Sequence, residues 1–209
     1  MRKMCIIVTI IFFAIIISNI RIANAATIFL SDTSWNVYTG DPYGTSPATN
    51  LGVAQVVSLS EYGFIGSAWN ADLSPISGAA WIWAPGITGS TTPADMASYY
   101  FSKEFSFPTI YNNTYLYLAA DDFAEIFING QLVGSIGSVT DYDIANAAQN
   151  NLTMFDISSY LTTGTNSITF HAMNGPATFA NKNGVPNPYS LNPAGIVFGG
   201  ISEIPSPVP

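Results

Sequence analysis

The sequence predicts an all-β protein, an antiparallel β-sandwich, and three observations carry this prediction. Short runs rich in β-branched and aromatic residues recur along the chain, clusters of Gly, Pro, Ser, Asn and Asp separate them, and no long stretch has an apolar period of 3.6 residues. Two segments, 94–98 and 142–150, are predicted to form a helical turn or two. The predicted strands are, in order, 26–31, 53–60, 79–84, 99–107, 114–120, 124–130, 131–137, 153–157, 166–173 and 194–204.

The N-terminus reads as a secretory signal peptide rather than as part of the fold. Arg2 and Lys3 precede an apolar run from Ile6 to Ile17, and the small residues Ala23 and Ala25 mark a cleavage site after Ala25. The sequence therefore predicts three parts: a signal peptide over 1–25, one sandwich domain over 26–204 and a short Pro-rich tail over 205–209. Secretion or a position at the cell surface follows, with no membrane span after cleavage.

The composition of the predicted mature chain excludes several classes of site. Its two basic and thirteen acidic residues give a net charge of −11, which argues against nucleic acid and anionic lipid as partners. The one cysteine, Cys5, lies in the signal peptide, so disulfides, thiolate metal sites and a cysteine nucleophile are excluded. Stability must come from buried apolar surface, and 13% of all residues are aromatic.

Asn129-Gly130 is the strongest local signal, because a type I′ turn needs positive φ at both central residues. A two-residue loop pairs Ile128 with Gln131, Phe127 with Leu132 and Ile126 with Val133. Since both faces then carry apolar groups, the hairpin is expected at the centre of a sheet rather than at its edge. In the later strand 166–173, the alternation predicts that Ile168, Phe170 and Ala172 share one face, while Thr169, His171 and Met173 share the other.

Two segments, "AADDFAEIFINGQLVGS" at 119–135 and "FDISSYLTTGTNSITFHAMN" at 155–174, resemble the jelly-roll domains of the galactose-binding-like superfamily. The sugar-binding domains of β-galactosidase-type and rhamnosidase-type glycoside hydrolases show this order, as do exported surface modules. The resemblance covers about residues 99–204 and implies a jelly roll and, less directly, sugar recognition. The matching residues are Asp121, Asp122, Ile126, Asn129, Gly130, Val133, Gly134, Phe155, Asp156, Leu161, Gly164, Asn166, Ile168 and Asn174.

The paired carboxylates of Asp121 and Asp122 are not expected to be catalytic. Successive residues of a regular strand point to opposite faces, whereas glycosidase carboxyls must converge on one bond. Carboxylates at a loop edge, bonded to backbone N–H groups, are the simplest interpretation. The alternative is a structural Ca²⁺ site, for which the candidate ligands are Asp121, Asp122, Asp141 and Asp143. For Asp141 and Asp143 the favoured interpretation is a solvated acidic loop that caps the following helical segment, with Asp143 near the helix N-terminus.

No catalytic residue is predicted. His171 is the only histidine, it lies in mid-strand, and no G-x-S-x-G stretch supplies a nucleophile elbow. An imidazole satisfied on a sheet face is the expected arrangement. Trp81 and Trp83 share one side of a strand, which is typical of a core and also of a stacking platform, and the core is the favoured interpretation.

The chain is therefore predicted to be an exported, non-enzymatic module that binds carbohydrate or a surface glycan. The alternative is a structural or adhesive surface component that binds protein or self-assembles. Aromatic rings can cover the apolar face of a sugar while carboxylates and amides bond its hydroxyls. At least two of the polar connections 32–44, 66–74, 138–146 and 178–192 are expected to meet. The predicted ligand-binding residues are Trp35, Trp69, Asp41, Asn187 and Tyr189.

Overall fold

The computed structural model describes residues 24–60, 62, 68–87, 93–109, 113–181 and 192–204. The predicted signal peptide up to residue 23, the Pro-rich tail, Asn187 and Tyr189 lie outside the described residues. The strands are β1 Asn24–Leu30, β2 Asn36–Tyr38, β3 Asn50–Val53, β4 Gln55–Val56, β5 Ile82–Trp83, β6 Ser98–Phe107, β7 Thr114–Asp121, β8 Phe123–Ile128, β9 Gln131–Gly137, β10 Thr153–Asp156, β11 Gly164–Met173 and β12 Gly195–Ile204. One α-helix, α1 Tyr142–Asn150, and 3₁₀ turns at Ser74–Ile76, Ser158–Tyr160 and Ala177–Asn181 complete the described part.

Two antiparallel sheets pack face to face and form a jelly-roll sandwich, as predicted. The first sheet has the order β10-β7-β12-β5-β4, with β1 paired to β12. The second sheet has the order β3-β2-β6-β11-β8-β9. Because the strands pair antiparallel throughout, one end of the sandwich collects the end of β7, the start of β8, the end of β11 and the start of β12. We call this end the loop end.

The core lies between the sheets and is built from aromatic and branched side chains. Phe170 of β11 stacks on Phe198 of β12 with ring centroids 3.8 Å apart, so one aromatic pair joins the two sheets. Ile168, Phe170 and Ala172 are all buried between the sheets, which confirms the prediction that they share one face of β11. Burial of such rings supplies most of the stability that a chain without disulfides can obtain.

The hairpin of β8 and β9 confirms the predicted turn but corrects its register. Asn129 and Gly130 have φ values of 51° and 74°, as a type I′ turn requires. Ile128 pairs with Gln131 and Phe127 with Leu132, as predicted, but a bulge then places Ile126 opposite Gly134 instead of Val133. The expectation of a central hairpin is wrong, since β9 is the edge strand of the second sheet.

Candidate functional site

Trp35 does not lie at a surface, so the prediction of an exposed ring is wrong. Its side chain is 0% exposed, and its ring packs edge-on against Phe198 at 4.6 Å between centroids. The indole Nε1 donates to the carbonyl oxygen of Leu30 at 2.8 Å, so the ring is buried without leaving a polar atom unsatisfied. The backbone N–H of Ser34 donates to Oδ1 of Asp32 in the turn before Trp35, so the polar neighbours bond to each other and not to the indole.

Asp41 lies in the loop after β2, and no hydrogen bond among the described residues joins it to Trp69, Asp121 or Asp122. Its Oδ1 accepts a hydrogen bond from the backbone N–H of Tyr43 at 2.9 Å, which is the usual Asx-turn arrangement. Burial, followed by the negative charges of Asp41 and Glu125, raises the pKa of the Tyr100 phenol on β6. Asp41 is therefore close to Tyr100.

Trp69 is half-buried at the loop end and is held on two sides. Its ring stacks on Trp81 at 4.4 Å between centroids and 16° between planes. Its Nε1 donates to Oδ2 of Asp121 at 2.8 Å. A side chain at Gly195 would collide with both indole rings, so this glycine leaves the space that the stacked pair occupies. Among the described residues, Trp69 is thus the one predicted ligand-binding ring that lies beside a carboxylate of the predicted site residues.

Asp121 and Asp122 face each other, which contradicts the expectation that they point to opposite faces. β7 ends at Asp121 and β8 begins at Phe123, so the pair interrupts the strand instead of continuing it. Each residue is only 7% exposed, and the two carboxyl groups are close enough for the charge of Asp122 to raise the pKa of Asp121. Oδ2 of Asp122 also accepts from the backbone N–H of Gly175 at 2.6 Å.

The electrostatics of the pair favour one shared proton. Burial raises the pKa of both carboxyls, and the charge of Asp122 raises the pKa of Asp121 further, well above its ordinary value. Two adjacent buried carboxylates cannot both ionise cheaply without a cation, so the pair holds either a proton or a positive partner.

Asp141 and Asp143 belong to a helix start rather than to this pair. Oδ1 of Asp141 accepts from the N–H groups of Asp143 and Ile144 at 2.9 and 3.3 Å, so Asp141 is the N-cap of α1. Asp143 lies in the first turn, where a negative charge suits the helix dipole. Within the described part of the chain, no three His, Cys, Asp or Glu side chains are grouped so that they could hold a metal ion. The four candidate calcium ligands are therefore not brought together as one set.

Asn174 contributes a buried side-chain oxygen to this end of the sandwich, although the sequence did not predict it as a site residue. It is 0% exposed, and its Oδ1 has no hydrogen-bond partner among the described residues, although buried amide oxygens are normally satisfied. Its Nδ2 donates to the carbonyl oxygen of Ala94, and its backbone N–H donates to that of Ala97. Asn174 is the last residue of the pattern that resembles the galactose-binding-like domains, and it directly precedes Gly175. This position is the sequence feature that could have identified it as a site residue.

The connections around this end meet as predicted. Tyr142 of the connection 138–146 and Phe179 of the connection 178–192 form an edge-to-face pair at 6.0 Å. The backbone N–H of Asn70 donates to Oδ1 of Asn150, which brings the connection 66–74 against α1. Asn192 donates to the carbonyl oxygen of Gly175 and to Asp95. We call Trp69, Asp121, Asp122 and Asn174 the loop-end site.

Comparison with known proteins gives structural neighbours only. No protein-family model matches the chain, and no curated protein matches it in sequence. Among solved structures, it is similar to the α-L-rhamnosidase of Streptomyces avermitilis, with 16% identity, 73% of this chain and 14% of that chain covered, and a TM-score of 0.43. It is also similar to the β-glucuronidase of Bifidobacterium dentium, with 16% identity, 86% of this chain and 30% of that chain covered, and a TM-score of 0.47. For the β-glucuronidase of Bacteroides uniformis the identity is 13%, the match covers 85% of this chain and 18% of that chain, and the TM-score is 0.44.

The chain spans less than a third of the length of each of the three enzymes. What the enzymes do is therefore not carried over, and the function of this chain is argued from its own site.

Proposed function

We propose that the chain is an exported, non-catalytic carbohydrate-binding module whose ligand contacts the loop-end site. One observation carries the proposal: the buried Asp121–Asp122 pair lies beside a tryptophan at the end of the sandwich where the connections meet. Carboxylate and amide oxygens accept hydrogen bonds from sugar hydroxyls, and an indole can cover the apolar face of a sugar ring. Loops at one end of a rigid sandwich are a usual place for a binding site.

Ca²⁺ is the proposed positive partner of the carboxyl pair. Ca²⁺ takes carboxylate and amide oxygens as ligands, and the loop-end site offers both kinds. The unsatisfied Oδ1 of Asn174 fits this proposal, because a buried acceptor without a donor is the atom that a cation would satisfy. Asp121, Asp122 and Asn174 would hold the ion, which would replace the shared proton and offer its remaining positions to ligand oxygens.

The geometry of the carboxyl pair supports a non-catalytic role. Glycosidases place their two carboxyl groups on opposite sides of a bond, roughly 5–10 Å apart. Asp121 and Asp122 are instead consecutive residues that are buried together, rather than two carboxyl groups on either side of a bound sugar. Export is inferred from the N-terminal sequence alone. In the described part of the chain, no helix is long and apolar enough to cross a membrane.

The test is retention on a glycan array, with and without chelator, for the native chain and two variants. Asp122→Asn removes a charge from the loop-end site, and we expect it to abolish retention, as chelation does. Asp141→Asn is the matched control, since it removes a charge of the same kind but keeps a good N-cap on α1. If neither Asp122→Asn nor the chelator alters retention, the glycan does not bind at the loop-end site. If the native chain retains no glycan at all, the proposed carbohydrate-binding function is contradicted.

A structural or adhesive role is the second candidate, and one observation favours it. Both sides of the sandwich end in edge strands that expose apolar side chains: Leu51, Val53 and Val56 on β3 and β4, and Leu132 and Met154 on β9 and β10. Edge strands are normally protected by charge or proline, and β3, β4 and β9 contain neither. Light scattering that gives a mass rising with concentration would favour this role over a monomeric binding module.

A further inference from the structure

His171 is bonded by both nitrogens of its ring on the outer face of the second sheet. Nδ1 lies 2.9 Å from Oε2 of Glu125, and Nε2 lies 2.7 Å from Oγ of Ser98. The ring also stacks on Tyr100, at 4.3 Å between centroids and 10° between planes. Because its side chain is only 15% exposed, water competes weakly for these bonds.

The three hydrogen-bonded residues lie on three neighbouring strands, all close to the loop end. Ser98 begins β6, His171 lies near the end of β11, and Glu125 lies near the start of β8. Glu125 is directly opposite His171 in the ladder, and Ser98 is opposite Met173. The imidazole therefore joins β6, β11 and β8 close to the points where these strands begin or end at the loop-end site.

Each of these strands continues into one part of the loop-end site. β11 leads into Asn174 and Gly175, and β8 follows Asp122 directly. The turn before β6 contributes the carbonyl oxygens of Ala94 and Ala97 that accept from Asn174. The backbone N–H of Asp122 donates to the carbonyl oxygen of Met173. A shift of one strand end against another would therefore separate Asn174 from Asp122.

We propose that His171 is a positioning residue for the loop-end site: its bonds to Ser98 and Glu125 fix the ends of β6, β11 and β8 relative to one another. The proposal rests on the proposed function in taking Asp122 and Asn174 as ligand-binding groups. A ring bonded on both sides cannot move without breaking a hydrogen bond, so it holds three chain segments where the ladder ends.

The same chain of bonds has the connectivity of a Ser-His-Glu relay, in which the imidazole activates the serine as a nucleophile. The two roles differ in what they require. A relay needs a reactive Ser98 hydroxyl, whereas a positioning role needs only that the three strands stay in place.

The test compares His171→Phe with Thr169→Val in the ligand-free protein by amide hydrogen exchange. His171→Phe keeps an aromatic ring beside Tyr100 but removes both hydrogen bonds. Thr169→Val removes the 2.9 Å bond to Ser102, which connects the same β6 and β11 farther from the loop end and leaves β8 out. We expect His171→Phe to speed exchange of the Asn174 and Gly175 amides about fivefold or more, and Thr169→Val to leave them unchanged.

Three outcomes would overturn the proposal, and a fourth would support it. Unchanged exchange at Asn174 and Gly175 in His171→Phe would overturn it, as would equal acceleration in both variants. Labelling of Ser98 by a fluorophosphonate in the native chain, but not in His171→Phe, would overturn it in favour of the relay. Faster exchange confined to His171→Phe supports it, and this result is independent of whether Ca²⁺ or any glycan binds. Weakened Ca²⁺ binding in the same variant, measured by calorimetry, would then tie the positioning role to the ligand site.

Discussion

Asp121 and Asp122 hold two carboxyl groups against each other where both are almost out of water, and this arrangement makes stability depend on pH. The pKa of Asp121 is raised well above its ordinary value in the native state, chiefly by burial and then by the charge of Asp122. In the unfolded chain the ordinary value of about 3.9 returns. Between these two values the native state binds more protons than the unfolded state, so the free energy of unfolding falls as pH rises through this window.

Asp121→Asn is predicted to weaken this pH dependence. The amide stays neutral at every pH, its oxygen can still accept from Trp69, and its NH₂ can donate to Asp122. The expected result, in the absence of Ca²⁺, is a smaller fall in the free energy of unfolding between acid and neutral pH, by about 1 kcal/mol or more. Urea titrations across this pH range measure it. Asp141→Asn should keep the native slope, and an unchanged slope in Asp121→Asn would show that the pair does not share a proton.

Trp35 shows why single residues were the hardest to place from sequence. Its neighbours are polar and favour turns, and this local pattern predicted an exposed ring. The indole instead buries its whole surface against Phe170 and Phe198, which come from distant parts of the chain. A contact between residues far apart in the sequence is not visible in the local residue pattern. The apolar alternation of β11 is visible, because the strand repeats it along its own length.

At the scale of elements, most strands could be predicted because periodicity and turn residues are local properties. β6 to β12 follow their predicted segments within about three residues, and α1 matches the helical segment 142–150. β2 has only three residues and was missed, while the predicted strand 53–60 contains only β4 and the last residue of β3. The bulge between Ile126 and Phe127 adds one residue to one strand, and no periodicity of side chains signals where such a residue falls.

The β8–β9 turn leads to the prediction at this scale. Gly130 has φ of 74° with open space around it, so a substitution there is opposed by backbone conformation and not by a clash. Gly130→Val should lower the free energy of unfolding by on the order of 1 kcal/mol or more, because β-branched residues resist positive φ. Gly130→Asn is the control, and it should lose less, since asparagine tolerates this region. Equal losses in the two variants would contradict a backbone origin.

At the scale of the whole molecule, the fold follows from the number of strands and their faces, but the site does not. The resemblance in the sequence predicted the jelly roll and placed Asp121, Asp122 and Asn174 in one pattern. The pair was nevertheless expected to diverge, because a regular strand was assumed where the chain bends between β7 and β8. The site depends on such an interruption, which is set by tertiary packing of Trp69 and Gly175 around the carboxyls.

The sandwich also limits how much of the N-terminus can be removed. β1 begins at Asn24 and pairs with β12, so cleavage after Ala25 would remove the pairs Asn24–Ile204 and Ala25–Glu203 only. The pairs from Ala26–Ser202 to Leu30–Gly199 would remain, together with the buried ring of Phe29 and the hydrogen bonds of Ser31 to Ala80 and Phe198.

We therefore expect N-terminal sequencing of secreted protein to begin at Ala26. A chain that starts at Ala26 should melt as one cooperative unit. Removing residues 26–31 as well should lower the melting temperature by about 10 °C or more, since it takes away a buried phenylalanine worth about 3 kcal/mol and the β1–β12 ladder. Calorimetry of the two chains measures the difference. Recovery of the uncleaved chain from membranes would overturn the export prediction, and equal melting temperatures would show that β1 adds little to the sandwich.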